Sequence, residues 1–370
     1  MYITPFGVEM WMNAWETKCT YNLAETCVHS LSIAELLEIS GQNDTDLRAL
    51  LDLRMTYGVI EGSDRLRHAI AKLYENRAPQ DLLVTHGTIG ANMLVFKALV
   101  SRGDHVVTIV PTYQQHYSIP ESIGARVDRL HLRADDQWLP DLDALERMLT
   151  PDTRLLALTN PNNPTGALIP KDMLADIAAL ARKNDVWILA DEVYRGTEDA
   201  PQPPAISDLY EKGISTCGMS KAFSLAGLRL GWIAAPADVL TQVSHHRDYD
   251  TISVGMLDDH FATIALENAD KILARSLDIT RTNRAILASW MEAHPMLDWE
   301  RPAAGTTAFL RLPANTNSEE FCKDLLAQTG VLLTPGSALE MEGYARIGYA
   351  NATSILEQGL DRLSAYLRRL

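Results

Sequence analysis

The sequence predicts an α/β fold in which a doubly wound, mostly parallel sheet forms a large domain and a smaller α+β domain follows it. Three observations lead to this prediction. From about residue 64, helical and strand patterns alternate along the chain, as in sheets whose parallel strands are joined by helices. Several predicted strands are continuous apolar runs, which is typical of strands covered on both faces. After about residue 270, the alternation gives way to a long helical segment and short strands.

The large domain begins with a helix and a strand. Leu66, Ile70 and Leu73 lie on one face at helical spacing and predict a helix over residues 64–76. Residues 82–87 predict a short strand that ends in glycine, and residues 88–103 predict the helix after it. The further predicted strands are residues 105–110, 125–132, 154–159, 186–192, 213–219 and 228–235, with a predicted helix at residues 170–184.

The C-terminal part predicts the smaller α+β domain. Its predicted elements are a long helix over 271–294, a strand at 306–312, a helix at 318–329, strands at 331–334 and 345–349, and a final helix at 353–369. The first 35 residues look irregular, and we expect them to pack on the small domain and across its junction with the large one. The predicted organisation is an N-terminal segment (1–35), a large domain (36–270) and a small domain (271–370).

The composition excludes several classes of protein. The chain has 33 Lys and Arg against 48 Asp and Glu, a formal net charge of −15, and so acidic a surface repels nucleic acid and anionic membranes. The N-terminus has no basic start followed by an apolar core, and no apolar stretch is long enough to span a bilayer. The four cysteines form no disulfide framework, and we predict no metal site. These features predict a soluble protein of the reducing cytoplasm.

A first candidate for ligand binding is Gly87-Thr88-Ile89, which lies between a predicted strand and a predicted helix. Free backbone N–H groups at a helix N-terminus bind phosphate without net basic charge. Alone this signal is weak, because many α/β turns carry a glycine for conformational reasons only. The chain contains neither a G-x-x-x-x-G-K-[ST] loop nor a G-x-G-x-x-G fingerprint, so a Walker-type or dinucleotide site is not predicted.

Polar side chains also follow two buried strands. In NPNNPTG (160–166), two prolines and a glycine stiffen the turn, and Asn163 could present an amide donor or simply belong to the turn. Asp191 ends the apolar strand VWILAD, where a carboxylate is costly unless it is paired. One suitable partner is a protonated pyridine nitrogen, with Tyr194 donating to the ring hydroxyl. Alternatively, Asp191 caps a helix.

The segment SKAFSLAGLRLGW (220–232) carries the main chemical candidate. Lys221 lies among apolar and small residues, where desolvation can lower the pKa of a lysine toward neutrality and activate it for Schiff-base chemistry. Ser220 and Arg229 are candidates for binding a phosphate group.

NPNNPTG, DEVY (191–194), SKAFSLAGLRLGW and ARIGY (345–349), in this order, resemble the class I/II aminotransferases of fold type I, which use pyridoxal 5′-phosphate (PLP). The resemblance extends from Tyr57 to the C-terminal helix. It implies that Lys221 is the Schiff-base lysine and that Asp191 is the partner of the pyridine nitrogen. Asn163 and Tyr194 would then donate to the ring hydroxyl.

The same resemblance implies roles for the remaining residues of the cofactor site. Ser220, Arg229 and the backbone amides of Thr88 and Ile89, after Gly87, correspond to phosphate ligands. Tyr113 corresponds to the aromatic residue that stacks on the ring, although it could be a core tyrosine. Tyr57 corresponds to a tyrosine that reaches the phosphate from a neighbouring subunit, which implies a homodimer with shared sites. Arg346 corresponds to the residue that binds the α-carboxylate of an amino-acid substrate.

The N-terminal segment departs from the ordinary family pattern. Many members carry a glycine-rich turn where this chain has TYNLAETCVHSLSIAELL (20–37), without glycine or proline. This stretch and the region from RDY (247–249) to ASW (288–290) are similar to the branch that includes capreomycidine synthase, which removes a β-hydroxyl from a hydroxylated arginine and closes the guanidine onto the carbon skeleton. The resulting substrate-binding candidates are Glu9, Glu25, Thr26 and His29.

Each of these candidates has an ordinary alternative. Glu9 and Glu25, like Asp258 and Asp259, could pair with a guanidinium or be solvated charges. His29 could act as a general acid or cap a helix that begins near Ser32.

Two reactions at the α-carbon remain open: elimination with cyclisation of a hydroxylated basic amino acid, and ordinary transamination with a 2-oxo acid. The cofactor motifs are shared by both and do not separate them. A third possibility, a regulatory domain on this fold, would need a basic DNA-binding domain, which this acidic chain is not expected to carry.

Overall fold

The computed structural model describes residues 2–199 and 201–369. Its strands are β1 (Tyr21–Asn22), β2 (Leu82–Thr85), β3 (His105–Val110), β4 (Arg126–His131), β5 (Thr153–Thr159), β6 (Trp187–Asp191), β7 (Gly213–Gly218), β8 (Gly231–Ala234), β9 (Asp298–Trp299), β10 (Thr307–Arg311), β11 (Val331–Leu332), β12 (Thr334–Pro335) and β13 (Tyr344–Gly348). Its helices are α1 (Gly7–Trp15), α2 (Ile33–Ser40), α3 (Asp44–Ala49), α4 (Asp64–Ala71), α5 (Gly87–Leu99), α6 (Gln115–Ile123), α7 (Leu142–Met148), α8 (Lys171–Lys183), α9 (Ile206–Leu209), α10 (Ala237–Arg247), α11 (Met256–Glu267), α12 (Ala269–Glu292), α13 (Ser318–Thr329) and α14 (Thr353–Leu367).

The large sheet has the strand order β2-β8-β7-β6-β5-β3-β4. β8 runs antiparallel to both of its neighbours, β2 and β7, and the other neighbouring pairs of this sheet, all in the described part of the chain, are parallel. The direction of winding reverses between β5 and β3, and the carboxyl ends of strands at such a reversal leave a crevice for ligands. The predicted α/β class with a mostly parallel sheet is confirmed.

Both faces of the large sheet are covered. Leu155 and Ala157 of β5 pack with residues of α5 and α10, whereas Leu156 and Leu158 pack with residues of α7 and α8. Successive side chains of a strand point to opposite faces, so a strand buried on both sides must be apolar throughout. This explains the continuous apolar runs of the sequence.

The C-terminal elements build a second core. β12, β13, β10 and β9 form an antiparallel sheet in that order, and β1 pairs in parallel with β11. Leu287, Leu325, Ile347 and Leu360 belong to one buried cluster here, which Leu23 of the N-terminal segment joins. The domain boundaries at residues 35 and 270 remain predictions.

The N-terminal segment contains a helix that the sequence analysis did not predict. In α1, Val8 packs with the large-domain cluster, and Trp11 packs in the small-domain cluster and donates from Nε1 to the Leu333 carbonyl at 2.9 Å. Phe6 precedes α1 and makes no side-chain capping bond, so the usual start signal of a helix is missing. The expectation of an irregular segment was therefore wrong over residues 7–15.

Near the crevice, β8 and β2 are shorter than predicted. β8 begins at Gly231 rather than residue 228, because residues 226–228 form a 3₁₀ turn and Arg229 has a left-handed φ of 46°. β2 ends at Thr85, and Gly87 is already the first residue of α5. Both differences lie at the edge of the crevice.

In the part of the chain that the structure describes, no helix is both long and apolar enough to cross a membrane.

Candidate active site

A cavity of about 340 Å³ lies at the carboxyl ends of β5, β6 and β7, between these strands, the start of α5 and the N-terminal segment. Most of the residues predicted from the sequence line it. These are Glu9, Glu25, Thr26, Thr88, Ile89, Tyr113, Asn163, Asp191, Tyr194, Ser220, Lys221, Arg229 and Arg346.

Lys221 is held by the N-terminal segment. Its Nζ donates to Thr26 Oγ1 at 2.5 Å and lies 3.4 Å from Cys27 Sγ. Burial alone lowers the pKa of Lys221, but Cys27, Tyr194 and Glu25 outweigh burial, and the pKa lies above its ordinary value. The predicted lowering was therefore wrong, because the sequence did not reveal that Lys221 has these neighbours.

The Asp191 carboxylate is oriented by two donors. Oδ1 accepts from the Val193 backbone N–H at 3.1 Å, and Oδ2 accepts from Asn92 Nδ2 at 2.8 Å. His116 Nε2 lies 3.8 Å from Oδ2. Asp191 ends β6 and begins no helix, so it does not act as a helix cap.

Arg346 links the turn after β5 to the N-terminal segment. Its Nη1 donates to Asn163 Oδ1 at 3.2 Å, and its Nη2 donates to the Ala24 carbonyl and to Thr334 Oγ1, both at 3.1 Å. Its Nε is buried and has no hydrogen-bond partner among the described residues. Asn163 uses its oxygen for Arg346, and its amide N–H groups have no hydrogen-bond partner among the described residues, so they can donate to a ligand. Burial lowers the pKa of Arg346.

The start of α5 forms an anion cradle. Gly87 has a left-handed φ of 67°, and a Cβ added there would lie 3.1 Å from Arg229 Nη2, so this guanidinium lies against the first turn of the helix. The Thr88 hydroxyl is buried without a hydrogen-bond partner in the described part of the chain. A helix N-terminus, a guanidinium and an unpaired hydroxyl together suit a phosphate group.

The part of the cavity lined by the N-terminal segment is acidic. Glu9 accepts from the Tyr113 hydroxyl at 2.6 Å. Glu25 Oε1 accepts from the backbone N–H groups of Thr26 at 2.6 Å and Cys27 at 2.8 Å. Burial alone raises the pKa of Glu25, but Lys221 and these hydrogen bonds outweigh burial and lower the pKa overall.

Glu16 is a third carboxylate of this wall, which the sequence analysis missed. It lies at the exposed mouth of the cavity. Partial burial, and then Glu25 and Glu9, raise its pKa. Its position seven residues after Glu9 is a signal that could have been used, because residues seven apart share one face of a helix.

The structure does not bring His29 into the cavity, contrary to our expectation. The side chain is exposed, and its backbone carbonyl accepts from Arg275 Nη1 at 3.0 Å. His29 is also not the cap of α2, since Ser32 and Glu35 form a reciprocal capping box there. Its predicted role as a general acid has no geometric support.

Three further candidates lie outside the cavity. Tyr57 is 79% exposed. Asp259 accepts from the backbone N–H and the hydroxyl of Ser63 at 2.8 and 2.6 Å, which assigns it to the packing of α4 on α11. Asp258, on the same helix, does not line the cavity. No group of metal-ligating side chains was found among the described residues.

The chain belongs to the aminotransferase class I and II family, whose model matches residues 43–363. It is therefore a PLP-dependent enzyme, and its predicted membership of this family is confirmed. It is 31% identical to capreomycidine synthase of Streptomyces vinaceus, over 97% of this chain and 93% of that protein. It is 27% identical to the aspartate aminotransferase of Pyrococcus horikoshii, over 83% of this chain and 81% of that protein.

Two solved structures resemble the protein along its whole length. A PLP-dependent aminotransferase from Streptococcus suis matches with a TM-score of 0.97 and 39% identity, covering 100% of this chain and 99% of that one. The PLP-dependent cyclase OrfR matches with a TM-score of 0.93 and 28% identity, covering 100% of this chain and 98% of that one. The predicted resemblance to the branch that includes capreomycidine synthase is confirmed by these relatives.

The donor set of the cavity fits PLP. The cradle at the start of α5 suits its phosphate, the ionisable Asp191 suits its pyridine nitrogen, and the free amide of Asn163 suits its ring hydroxyl. Lys221 lies on the same cavity wall and would carry the covalent link.

Proposed function

We propose that this enzyme removes water from a hydroxylated amino acid with a guanidinium-type side chain and closes that side chain into a ring. The observation that carries this proposal is the acidic wall, formed by Glu9, Glu16 and Glu25 in the same cavity as Lys221 and Arg346. The 31% identity to capreomycidine synthase and the likeness to the cyclase OrfR support it.

The acidic wall suits a cationic substrate for an electrostatic reason. Partial burial, and then repulsion by the charges of Glu25 and Glu9, raises the pKa of Glu16. A guanidinium placed among them relieves this repulsion and can donate bidentate hydrogen bonds. Each charge-assisted hydrogen bond contributes about 1.5–3 kcal/mol. An aspartate side chain in the same place would be repelled.

The other residues would orient the reacting carbon. PLP, when bound, supplies an electron sink for charge at the α-carbon. Arg346 would bind the α-carboxylate through its buried guanidinium, Asp191 would hold the proton of the pyridine nitrogen, and Lys221 would move the proton at the α-carbon through its Nζ.

The overall reaction balances without a second substrate. The proton taken from Cα and the hydroxyl group of the side chain leave as one molecule of water. A guanidine nitrogen then forms the new bond to the carbon skeleton and gives up a proton, which returns to Cα. The product is the substrate less one water, and no 2-oxo acid is consumed.

Ordinary transamination is the second candidate, because the chain also resembles aspartate aminotransferases. It would use the same cofactor residues and Arg346. It differs in consuming a 2-oxo acid and in releasing another, and it makes no use of the acidic wall.

One assay separates the two reactions. The PLP-loaded enzyme is incubated with arginine, with arginine hydroxylated at Cβ or Cγ, and with aspartate, each with and without 2-oxoglutarate, and the products are identified by mass. We expect loss of one water from a hydroxylated arginine without consumption of 2-oxoglutarate. Glu25→Gln should lower kcat/KM for that substrate by about ten- to a hundredfold. Faster turnover of aspartate, with 2-oxoglutarate consumed, would establish the transaminase instead.

We also propose that the enzyme is a homodimer in which Tyr57 completes the site of the partner subunit. Leu51, Met55 and Tyr57 are 81%, 72% and 79% exposed, and Tyr249 is 96% exposed. Clustered exposed apolar side chains mark interaction surfaces. The segments that carry these side chains, around residues 51–58 and 249–254, contact each other, since a Cβ at Gly58 would lie 3.4 Å from the Val254 carbonyl oxygen. A two-fold axis would bring the same tyrosine to both sites.

A further inference from the structure

We infer that Asn92, held by Thr216, is a positioning residue that keeps the Asp191 carboxylate turned toward the pyridine ring of PLP. The inference goes beyond the proposed function, because it concerns the cofactor and applies equally to cyclisation and to transamination.

A short chain of hydrogen bonds joins α5, β6 and β7 beneath the cavity. Asn92 Nδ2 donates to Asp191 Oδ2 at 2.8 Å, and the Thr216 hydroxyl donates to Asn92 Oδ1 at 2.6 Å. All three side chains are buried, with 1%, 0% and 5% of Asn92, Thr216 and Asp191 exposed. Water therefore does not compete for these bonds.

Thr216 determines which way the Asn92 amide faces. The second acceptor near its hydroxyl, the Ala190 carbonyl, lies at 3.4 Å, a much longer contact than the 2.6 Å to Asn92 Oδ1. A hydroxyl has one proton to donate, and the shorter contact takes it. The amide oxygen is thereby turned to Thr216, and the amide N–H group is turned to Asp191.

A neutral donor is the type of partner that this carboxylate needs. A hydrogen bond to an ionised carboxylate favours the ionised form, while a neutral amide adds no charge that would repel a pyridinium. Among the described residues, Asn92 provides the only side-chain hydrogen bond to Asp191, next to the backbone bond from Val193.

The other groups facing Asp191 are less suited to this role. His116 Nε2, from α6, lies 3.8 Å away, beyond hydrogen-bond distance. Tyr194 and Cys217 also face the carboxylate, and burial raises the pKa of both, so they are neutral near pH 7.

The position of Asn92 in α5 explains how one helix serves both ends of the cofactor. Asn92 follows Thr88 by four residues, so both side chains lie on one helix face. The first turn of α5 forms the anion cradle, and Asn92 in the second turn contacts Asp191.

The test compares Asn92→Leu, Thr216→Val and the double variant with the wild type, all loaded with PLP. The first readout is ¹⁵N NMR of PLP labelled at the ring nitrogen, recorded as a function of pH. We expect the ring nitrogen of Asn92→Leu to lose its proton at a lower pH than in the wild type. The second readout is exchange of the substrate Cα proton in D₂O, which should slow by about ten- to thirtyfold with little change in KM.

Thr216 acts through Asn92, so its effects should not add to those of Asn92. Thr216→Val should shift both readouts in the same direction but less, and the double variant should behave like Asn92→Leu. Thr280→Val, which removes a buried hydroxyl on α12, is the matched control and should change neither readout. If Asn92→Leu does not fold, the isosteric variant Thr216→Val still tests the inference. An unchanged ring-nitrogen titration in a folded, PLP-loaded Thr216→Val would overturn the inference, whichever reaction the enzyme performs.

Discussion

At Lys221, one ammonium group is held by side chains that come from two distant parts of the chain. Thr26 and Cys27 contact it from the N-terminal segment, Glu25 adds a negative charge, and Tyr194, which follows β6, lies near it. Burial raises the pKa of the Cys27 thiol to about 11, so this neighbour is neutral near pH 7. With its raised pKa, the free amine of Lys221 is protonated near pH 7, and it lines the cavity.

The covalent role of Lys221 can be tested by chemical trapping. Borohydride reduction of the PLP-loaded enzyme should attach the cofactor irreversibly to Lys221, because that amine lines the cavity with the anion cradle. Peptide mapping by mass spectrometry identifies the labelled lysine. Lys221→Ala should take no label and lose turnover, while a label on another lysine in the wild type would contradict the assignment.

The raised pKa of Glu16 predicts a dependence of substrate binding on pH. A carboxylate binds a cation only when it is ionised, so the contribution of Glu16 is present above its pKa and is lost as the pH falls through that value. Glu25, with a lowered pKa, keeps its charge to lower pH. In the wild type, KM for a cationic substrate should rise as the pH falls from neutrality toward 5.

Glu16→Gln is the variant that isolates this effect. It should raise KM at neutral pH by roughly a few-fold, since Glu16 is exposed and its attraction is screened, and it should weaken the pH dependence of KM. The raised folded-state pKa also means that ionised Glu16 opposes folding at neutral pH, so Tm should not fall. Glu357→Gln on α14 is the control. An equal pH dependence in Glu16→Gln would assign the effect to other groups.

At the scale of elements, the site depends on how closely β8 approaches the start of α5. A Cβ at Gly231 would meet the Gly87 carbonyl carbon and lie 2.5 Å from the Thr88 backbone nitrogen. The strand can pair beside the helix N-terminus because position 231 has no side chain. This contact sets the position of the anion cradle.

Gly231→Ala should therefore push β8 and the first turn of α5 apart. Overpacking of this kind costs about 1–3 kcal/mol, so we expect a lower Tm and PLP affinity reduced by roughly tenfold or more. Gly227→Ala, four residues earlier, is the matched control because a Cβ there would meet nothing within 4 Å. Thermal unfolding and equilibrium dialysis with PLP measure the two effects. Wild-type affinity in Gly231→Ala would show that the close approach is dispensable.

At the scale of the whole molecule, exposed apolar side chains around Tyr57 predict a dimer with shared sites. Lys221→Ala and Tyr57→Ala subunits should each be nearly inactive alone. Mixed after unfolding and refolding, they should recover about a quarter of the wild-type activity, because half of the random dimers are mixed and each has one intact site. Light scattering during turnover gives the oligomeric state. A fully active monomer would remove this role from Tyr57.

Much of the fold and of the cofactor site could be predicted because the signals are local. The helix at 318–329 and the strand at 105–110 have the same bounds in the structure as in the prediction, since apolar periodicity and turn residues act over a few positions. Lys221, Asp191 and Asn163 follow strands that can be recognised individually. Parallel strands end at one edge of a sheet, so these residues had to come close together.

The sequence by itself therefore determined the α/β class, the PLP chemistry and the strand ends that carry it. Only the tertiary structure decided in which direction the pKa of Lys221 is shifted. It also decided that His29 lies outside the cavity and that Glu16 and Asn92 line it. The physical reason is that the residues in contact are far apart in the sequence. Lys221 and Thr26 are 195 positions apart, and Asn92 and Asp191 are 99 positions apart. Hydrogen bonding and desolvation depend on which atoms lie within a few ångströms, and for such pairs the packing of distant elements decides that distance.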